Sequence, residues 1–369
     1  MALKCIDVIK ALEKFAPIED AESWDNPGFL VGDRNHEIHK VLVALDVINP
    51  VIDEAIEVGA DMIVTHHPVL FGSVKKVTTD TPLGAKIVRL IKSNIDHYAA
   101  HTNLDAAIGG TNDVFAQLAG IKDVKILDVT NKEKLYKFSV FVPVADADEV
   151  RDAIVKAGGG KTDSYYGGCT FTANGQSRFT PLDGANPTKG SPNIEELVDE
   201  VKIETLVTAS LLDKVINAAL EVHPYEEPAY DVILTERYGR ENGIGRVGVL
   251  PEETTLGEYA LKIKEALGLD AIRVVGDLDT KISKVGICTG SSVEYMKKVK
   301  SAGAQVFITS DMRYHESQKA LDLGLALIDA THFASENIIV PTLCNIIKES
   351  CPGIKVVASK VNGQVFKSL

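Results

Sequence analysis

Apolar residues Ile6, Ile9, Leu12 and Phe15 recur three apart between polar positions, and this spacing predicts an amphipathic helix over 4–15. The pattern then changes to short apolar runs. Lys40 to Asp46 reads as a buried strand. Asn49-Pro50 opens a helix with Val51, Ala55 and Val58 inward, and Gly59 closes it. Ala60, Met62, Ile63 and Val64 form a second strand that stops at Thr65-His66-His67-Pro68. Residues 84–93 read as a helix, and Ile95 to Ala100 as a strand ending in His101-Thr102-Asn103-Leu104-Asp105. Gly109-Gly110-Thr111-Asn112-Asp113 opens another helix through Leu118. Strands alternating with helices in this way are the signature of an α/β fold.

The rhythm shifts near residue 129. A strand over 137–142 is followed by a helix over 146–157, closed by Gly158-Gly159-Gly160, and a strand over 169–173. A Gly/Pro/Asn/Ser-rich stretch over 175–193 reads as a long loop. A strand over 201–207, a helix over 211–221 and a strand over 229–234 complete the order β-α-β-β-α-β. That is the order of a ferredoxin-like module, so an inserted domain is expected over 129–236. The outer fold is expected to occupy 1–128 and 237–369, resuming near Gly243-Ile244-Gly245-Arg246-Val247-Gly248. It continues with a helix over 255–267 and strands over 271–275 and 284–288. A helix over 292–302 and a strand over 304–309 lead to Ser310-Asp311-Met312-Arg313-Tyr314-His315. A helix over 316–322, a strand over 325–329, Thr331-His332-Phe333-Ala334-Ser335-Glu336, one long helix over 335–349 and a strand at Val356-Val357 close the chain.

The two outer parts resemble each other. Lys40 to Thr65 aligns with Lys284 to Thr309 without a gap, which sets Gly59-Ala60 on Gly303-Ala304 and Thr65 on Thr309. In each part the next strand ends in a His with an acid four residues on: His101…Asp105 and His332…Glu336. The outer domain is therefore expected to be two similar α/β halves interrupted by the insert.

Composition narrows the class. A 45% hydrophobic and 25% charged chain of 369 residues can bury two or three domain cores. The net charge of −13 argues against a nucleic-acid binder, which needs a basic face. No apolar run is long enough to span a bilayer, and the amino terminus runs into an amphipathic pattern rather than a signal peptide. The five Cys are scattered, with no CxxC, and read as buried thiols of a cytoplasmic protein.

Against this background the histidines stand out. Neighbouring side chains on a strand point to opposite faces, so His66 and His67 can serve one site only where the strand ends and the backbone turns. The carboxyl edge of an α/β sheet is such a place. His101 with Asp105, and His332 with Glu336, share a face where their segments are helical. Each pair alone could equally be a helix cap or a surface ion pair. Together the six residues offer up to six N/O ligands. That exceeds a structural zinc site and suits two divalent ions, Zn first, with Mn, Fe or Co as alternatives. Water held by two such ions becomes a nucleophile near neutral pH, so hydrolysis is the natural chemistry. Asp311 and His315 are candidates for proton handling. His97 is expected in the core, and His223-Pro224-Tyr225-Glu226-Glu227 is explained by turn chemistry or by metal binding. Trp24 is read as a core plug, and Asp25 and Asn26 as turn formers.

The elements Trp24-Asp25-Asn26…Gly28, Thr65-His66-His67-Pro68, His101-Thr102-Asn103-Leu104-Asp105 and Asp329-Ala330-Thr331-His332-Phe333-Ala334-Ser335-Glu336 closely resemble the family named type 2 homologues of GTP cyclohydrolase I, also called Nif-three-like dinuclear-metal proteins. The resemblance covers essentially the whole chain. The central segment, with Asn186-Pro187 and His223-Pro224-Tyr225-Glu226-Glu227, is similar to the PII/CutA-like insert of longer bacterial members. The resemblance implies a dinuclear site from His66, His67, Asp105, His332 and Glu336, with His101 as a sixth ligand. It also implies a toroidal homohexamer, and the family name suggests GTP ring opening; the hydrolase reading expects a small-molecule, nucleotide-like or phosphorylated substrate. The chain departs from the family at Ser310-Asp311, where Gly-Asp is usual, and at Ala330-Thr331-His332, where Ala-Gly-His is usual; neither change removes a ligand. The alternative reading is a non-catalytic metal-binding or regulatory ring whose insert senses a ligand.

Overall fold

The computed structural model describes residues 2–161 and 165–367. In chain order the elements are α1 (Cys5–Phe15), β1 (Gly28–Val31), β2 (Lys40–Ala44), α2 (Asn49–Val58), β3 (Met62–Thr65), α3 (Pro82–Lys92), β4 (Asp96–Ala99), α4 (Thr102–Ala106) and α5 (Thr111–Leu118). They continue with β5 (Lys122–Pro143), α6 (Ala147–Ala157), β6 (Thr170–Phe179), β7 (Glu196–Thr208), α7 (Leu212–Glu221), β8 (Tyr230–Thr255), α8 (Leu256–Ala266), β9 (Arg273–Val275) and β10 (Lys281–Ile287). The last are α9 (Met296–Ser301), β11 (Val306–Thr309), α10 (Tyr314–Asp322), β12 (Ala326–Asp329), α11 (His332–Asn337), α12 (Val340–Ser350) and β13 (Lys355–Ala358). The chain forms two compact units, one of residues 1–131 with 242–369 and one of residues 132–241.

The first unit is built on two sheets. One runs β1-β4-β3-β2-β13, with β13, β2, β3 and β4 parallel and β1 antiparallel at the edge. In the other, β8-β10-β11-β12-β9, the strands β10, β11 and β12 are parallel between antiparallel neighbours. The order β1-β4-β3-β2 thus recurs as β9-β12-β11-β10, with the same strand directions and the same sequence order. Registers correspond too: Thr65 faces Ala99, and Thr309 faces Asp329. That match shifts one detail of the repeat. His101 corresponds to Thr331, not to His332, because α4 starts at Thr102 and α11 at His332.

The parallel strands are apolar on both faces because helices cover both. In the first sheet Val41, Val43, Met62 and Val64 pack against Val8, Ile9 and Leu12 of α1 and Leu343 and Ile347 of α12. Leu42 and Ile63 pack on the opposite side against Ile52 of α2 and Leu90 of α3. The second sheet is similarly sandwiched, with Val285, Val306 and Ile308 against Phe115 and Ile263, and Phe307 and Leu327 against Val299 and Ala320. Each fully buried Leu, Ile or Phe contributes about 1.5–3 kcal/mol, which is ample to hold both sheets rigid beneath their strand ends. Polar bonds also tie the unit together. Arg246, buried, pairs with Asp113 at 2.6 Å and donates to the carbonyls of Gly243, Gly245 and Ala107. Asn112 donates to Asp105 O and accepts from Thr289 N, joining α4 to the end of β10. Asp20 accepts from Asn131 and Asn242, the residues at which the chain leaves and re-enters this unit.

In the second unit the strand order is β6-β7-β5-β8, and α6 and α7 cover one face. Phe138, Val140 and Val142 of β5 and Val201, Ile203 and Val207 of β7 point to the helices, where Val150, Ile154, Val215 and Ala219 meet them.

Several expectations need correction. The loop expected over 175–193 is strand as far as Phe179, with Gly175 opposite Glu200 and Phe179 opposite Glu196. β6 is an edge strand, where Gly, Asn and Ser are tolerated, so its composition hides its pairing. β5 and β8 are far longer than their apolar cores, because much of their length is exposed and lacks an alternating pattern. The helix expected over 335–349 is two helices, since Pro341 starts a new one at Val340. Trp24 is 62% exposed and plugs no core. Of the five thiols, none paired, Cys169 is exposed. His97 is wholly buried, as expected. No helix among the described residues is long and apolar enough to cross a membrane.

Candidate metal centre

The carboxyl ends of the parallel strands in both sheets of the first unit deliver one cluster of imidazoles and carboxylates. β3 ends at Thr65, whose hydroxyl donates to His67 O at 2.6 Å and accepts from His97 Nε2 at 2.8 Å. This local knot lets His66 and His67 leave the strand towards one place, with ring centroids 5.0 Å apart. Burial drives the pKa of His97 down to about 3, so this imidazole serves as a neutral donor. β4 delivers His101 at the amino-terminal cap of α4, and α4 carries Asp105. β12 delivers His332 and Glu336 on α11 through Thr331, held at a positive φ of 58°. That conformation is costly for a β-branched residue and is the kind retained where a site requires it.

All six ligand candidates gather here. His66 Nε2 lies 3.7 Å from Asp105 Oδ1 and 3.8 Å from Glu336 Oε1. Glu336 Oε2 lies 2.9 Å from His67 Nε2 and 3.0 Å from His332 Nε2, and those two nitrogens are 3.4 Å apart. Two groups with ligand-range geometry emerge, His66/His67/His101 and His67/His332/Glu336, which share His67. Gly290 makes room for the shared carboxylate: a Cβ there would stand 2.3 Å from Glu336 Oε1.

Each imidazole is held from behind by an oxygen. His66 Nδ1 donates to Ala100 O at 2.9 Å, His67 Nδ1 to Asp46 Oδ1 at 2.7 Å, His101 Nδ1 to Asp25 Oδ1 at 2.8 Å, and His332 Nδ1 to Asp311 Oδ2 at 2.7 Å. A proton fixed on Nδ1 leaves the Nε2 lone pair free, which is the tautomer and orientation of metal-ligating histidine. The inner atoms lack other partners. His66 Nε2 and Asp105 Oδ1 are buried without a hydrogen bond, and Glu336 Oε2 meets only the imidazole nitrogens of His67 and His332. Buried polar atoms in that state are rare and costly, and a cation among them removes the cost. Imidazole with carboxylate is a donor set for Zn, Mn, Fe or Co, so the residues fit a divalent ion.

The protonation states carry the same message. Burial disfavours a charged His67, but hydrogen bonds with Asp46 and Glu336 outweigh it and raise its pKa to about 10. Glu336 raises His332 to about 9. Burial lifts the Asp105 carboxyl above its ordinary range, although His66 opposes this. Burial also acts to raise Glu336, yet its three imidazole neighbours hold it well below the usual value. Without metal the cluster neutralises its carboxylates with protons, which are the competitors a cation displaces.

Reasoning from sequence missed Asp46 and underrated Asp25. Asp25 accepts from His101 Nδ1 and from Thr102 N and Oγ1, and these bonds overcome its burial to lower its carboxyl to about 2. Asp46 carries a retrievable signal. Ala44 faces Thr65 across parallel strands, so the residue two beyond Ala44 stands beside His67. Asp311 takes the position behind His332 at the rim, not one among the inner atoms. His315 is not brought to the cluster: it is exposed on α10 and bonded to Gln318 Oε1 at 3.1 Å. His223 is engaged in turn bonds to Phe141 O and Tyr225 N.

The cluster opens into a cleft of about 580 Å3 whose wall includes Trp24, Phe71, Lys86 and Tyr295. Trp24 and Phe71 stand edge-on to His101, with ring centroids at 6.0 and 5.5 Å. Lys86 stands in a wall that also carries Glu22, Asp46, Asp105, Glu294 and Glu336.

Residues 3–364 match the family described as Duf34/NIF3 (NGG1p interacting factor 3). A Halalkalibacterium halodurans protein named GTP cyclohydrolase 1 type 2 homolog is 41% identical over 362 residues, 97% of each chain. A Bacillus subtilis protein of the same name is 38% identical over 365 residues, 98% of each. Among solved structures, a Bacillus cereus protein related to NIF3 superposes with a TM-score of 0.92 at 37% identity, covering 100% of both chains. Staphylococcus aureus protein SA1388 gives 0.78 at 30% identity, covering 100% of this chain and 99% of that one.

Proposed function

The chain belongs to the Duf34/NIF3 family, and from that premise we propose that it is a dinuclear metal protein working as a metal-dependent hydrolase on a small nucleotide-like or phosphorylated substrate. The observation that carries the reading is the set of four imidazoles, each with Nδ1 bonded to an oxygen and Nε2 turned to a common cluster. Glu336 turns Oε1 towards His66 and Oε2 towards His67 and His332, so its carboxylate can serve two ions, and six donors support two ions rather than one. Zn is the first candidate for both. When bound, two divalent ions offset substrate negative charge and activate water near neutral pH.

The chain's own residues do the rest. Asp46, Asp25 and Asp311 keep the imidazoles in the ligating tautomer. Asp105 turns Oδ1 to the cluster beside His66 as a ligand oxygen. Trp24 and Phe71 offer aromatic surface to a base or sugar, and Lys86 offers a cation to a phosphate. The relatives' shared name points to guanine nucleotides as the first substrates to try. Residues 132–241 are read as an inserted ferredoxin-like domain, supported by the order β8-β5-β7-β6 with two helices on one face. A toroidal homohexamer in the cytoplasm is the proposed working form. A second reading, a regulatory ring with a ligand-sensing insert, is favoured by one observation: the second unit has a cleft of its own.

The test is turnover of a panel of nucleotides and phosphoesters by metal-loaded protein, with Asp105→Ala compared at matched oligomeric state. The hydrolase reading expects metal-dependent turnover, lost in the variant while assembly persists. No turnover by fully loaded protein, or equal turnover by Asp105→Ala, sinks the hydrolase and leaves the regulatory reading.

A further inference from the structure

The second unit contains a cleft of about 780 Å3 on the sheet face that the helices leave uncovered. Its origin lies in three strand positions. Val201 points to the helices, so its neighbour Glu200 points the other way. Glu200 is flanked across the sheet by Pro143 on β5 and Gly175 on β6. Gly175 has no side chain, and nothing lies within 4 Å of where its Cβ would stand. The carboxylate therefore borders open space, although Glu200 is only 5% exposed.

Among the described residues Glu200 is in no ion pair. The nearby lysines of this sheet, Lys137 and Lys202, are both engaged by Glu204. Arg178 in the cleft wall pairs with Glu195 at 3.0 Å. Two further buried polar atoms of the wall, Ser177 Oγ and Tyr225 Oη, have no aligned hydrogen bond among the described residues. The Tyr225 phenol stands beside Glu200; burial and then that carboxylate push its pKa up, so it stays a neutral donor. Phe141, Phe179 and Tyr225 supply aromatic faces, the last two with centroids 5.9 Å apart. The segment His223-Pro224-Tyr225-Glu226-Glu227 secures the loop that closes the cleft. Glu226 Oε2 accepts from Asn186 N at 3.2 Å, and Pro224 O accepts from Thr188 Oγ1 at 2.6 Å. Thus Asn186-Pro187 and the His-Pro-Tyr-Glu-Glu run, which the metal centre does not use, build one wall here.

We propose that this cleft is a binding site for a small organic cation, with an amidinium, guanidinium or ammonium head on Glu200 and an aromatic or apolar body between Phe141, Phe179 and Tyr225. A buried carboxylate beside a neutral phenol and no cation is costly, and a charged head bonded to it removes that cost. Planar heads make paired, charge-assisted bonds to carboxylate and stack on aromatic faces. The volume is that of an ordinary small-molecule site. With Glu200, the acids Asp183, Glu226 and Glu227 in the same wall outnumber its two bases, Arg178 and Lys189, so an anion is disfavoured. The site is independent of the metal centre and does not rest on the hydrolase reading.

The test is calorimetric titration of the full-length, metal-loaded protein with benzamidine, and with benzoate as the same ring bearing the opposite charge. Benzamidine is expected to saturate one site per chain, and benzoate not to bind. Glu200→Gln, nearly isosteric, is expected to weaken benzamidine at least tenfold, and Asp105→Ala in the metal centre to leave it unchanged. Phe179→Ala provides a second lesion should Glu200→Gln fail to fold, with severalfold weaker binding expected. Absence of saturable benzamidine binding, equal binding of benzoate, undiminished binding by Glu200→Gln, or loss of binding in Asp105→Ala each overturns the assignment.

Discussion

Asp46 touches no inner atom of the cluster, yet its removal tests how the centre is held. Its carboxylate fixes the Nδ1 proton of His67 at 2.7 Å, and His67 is the residue common to both ligand groups. Losing an oxygen behind a ligating histidine costs about 10–100-fold in metal affinity, or about 1.4–2.7 kcal/mol per ion. With its Nδ1 protonated, His67 has one lone pair, on Nε2, and can ligate one ion, so Asp46→Ala should weaken that ion by about 10–100-fold. Asp46→Asn keeps an acceptor of the same length and loses only the charge, so its loss should stay within about tenfold. The assay is competition against a chromophoric chelator near neutral pH, with Zn as the ion, fitted for both steps. Wild-type affinity for both ions in Asp46→Ala refutes the argument that Asp46 positions a ligand. An Asn variant weaker than the Ala variant refutes it as well.

Other outcomes follow from the same geometry. With folded pKa values of about 10 for His67 and about 9 for His332, the metal-free chain holds protons that the unfolded chain releases near 6.5. Their stabilisation is complete below that pH and is lost as pH rises through 9 to 10. Denaturant midpoints in chelator should therefore fall across this window while apparent metal affinity rises, and a flat metal-free profile contradicts the assigned protons. Gly290→Ala should lower metal content out of proportion to its effect on melting, because the new Cβ meets Glu336 Oε1 at 2.3 Å and the backbone φ is 66°; full metal content in that variant refutes the crowding. Arg246→Met removes the buried partner of Asp113 and should destabilise the fold by about 3–5 kcal/mol in urea; a change below about 1 kcal/mol means the network around it is dispensable. His315→Ala should leave metal content and any turnover unaltered, since the ring faces away on α10, and a selective loss of turnover shows that it reaches the cleft.

The strand–helix alternation of the first unit was legible because its strands are buried on both faces and its helices carry clear stops, such as Gly59 after α2. The ligand candidates were legible for a related reason: in parallel sheets the polar residues that follow an apolar run lie at one edge, so His66, His67, His101 and His332 could be expected together. What stands behind them was not. Asp46 and Asp25 sit in segments that read as a strand end and a turn, and only the register between β2 and β3 or the bond across 76 residues to His101 gives them a role. His315 misled because proximity in sequence to Asp311 says nothing of direction once α10 begins at Tyr314. In the second unit the edge strand β6 and the exposed lengths of β5 and β8 carry no apolar alternation, so their pairing emerges only in three dimensions.

The central claim is that the cluster holds two ions with the Glu336 carboxylate between them, and metal stoichiometry tests it most directly. Elemental analysis of untagged protein should find two equivalents per chain in the wild type. His101→Ala should lose the ion on the His66/His101 side and His332→Ala that on the His332 side, leaving one equivalent each, and Glu336→Ala, which removes the carboxylate reaching both sides, should retain neither. A wild-type value of one or none after loading with Zn, Mn or Fe, or a Glu336→Ala variant that still holds two, would contradict the account.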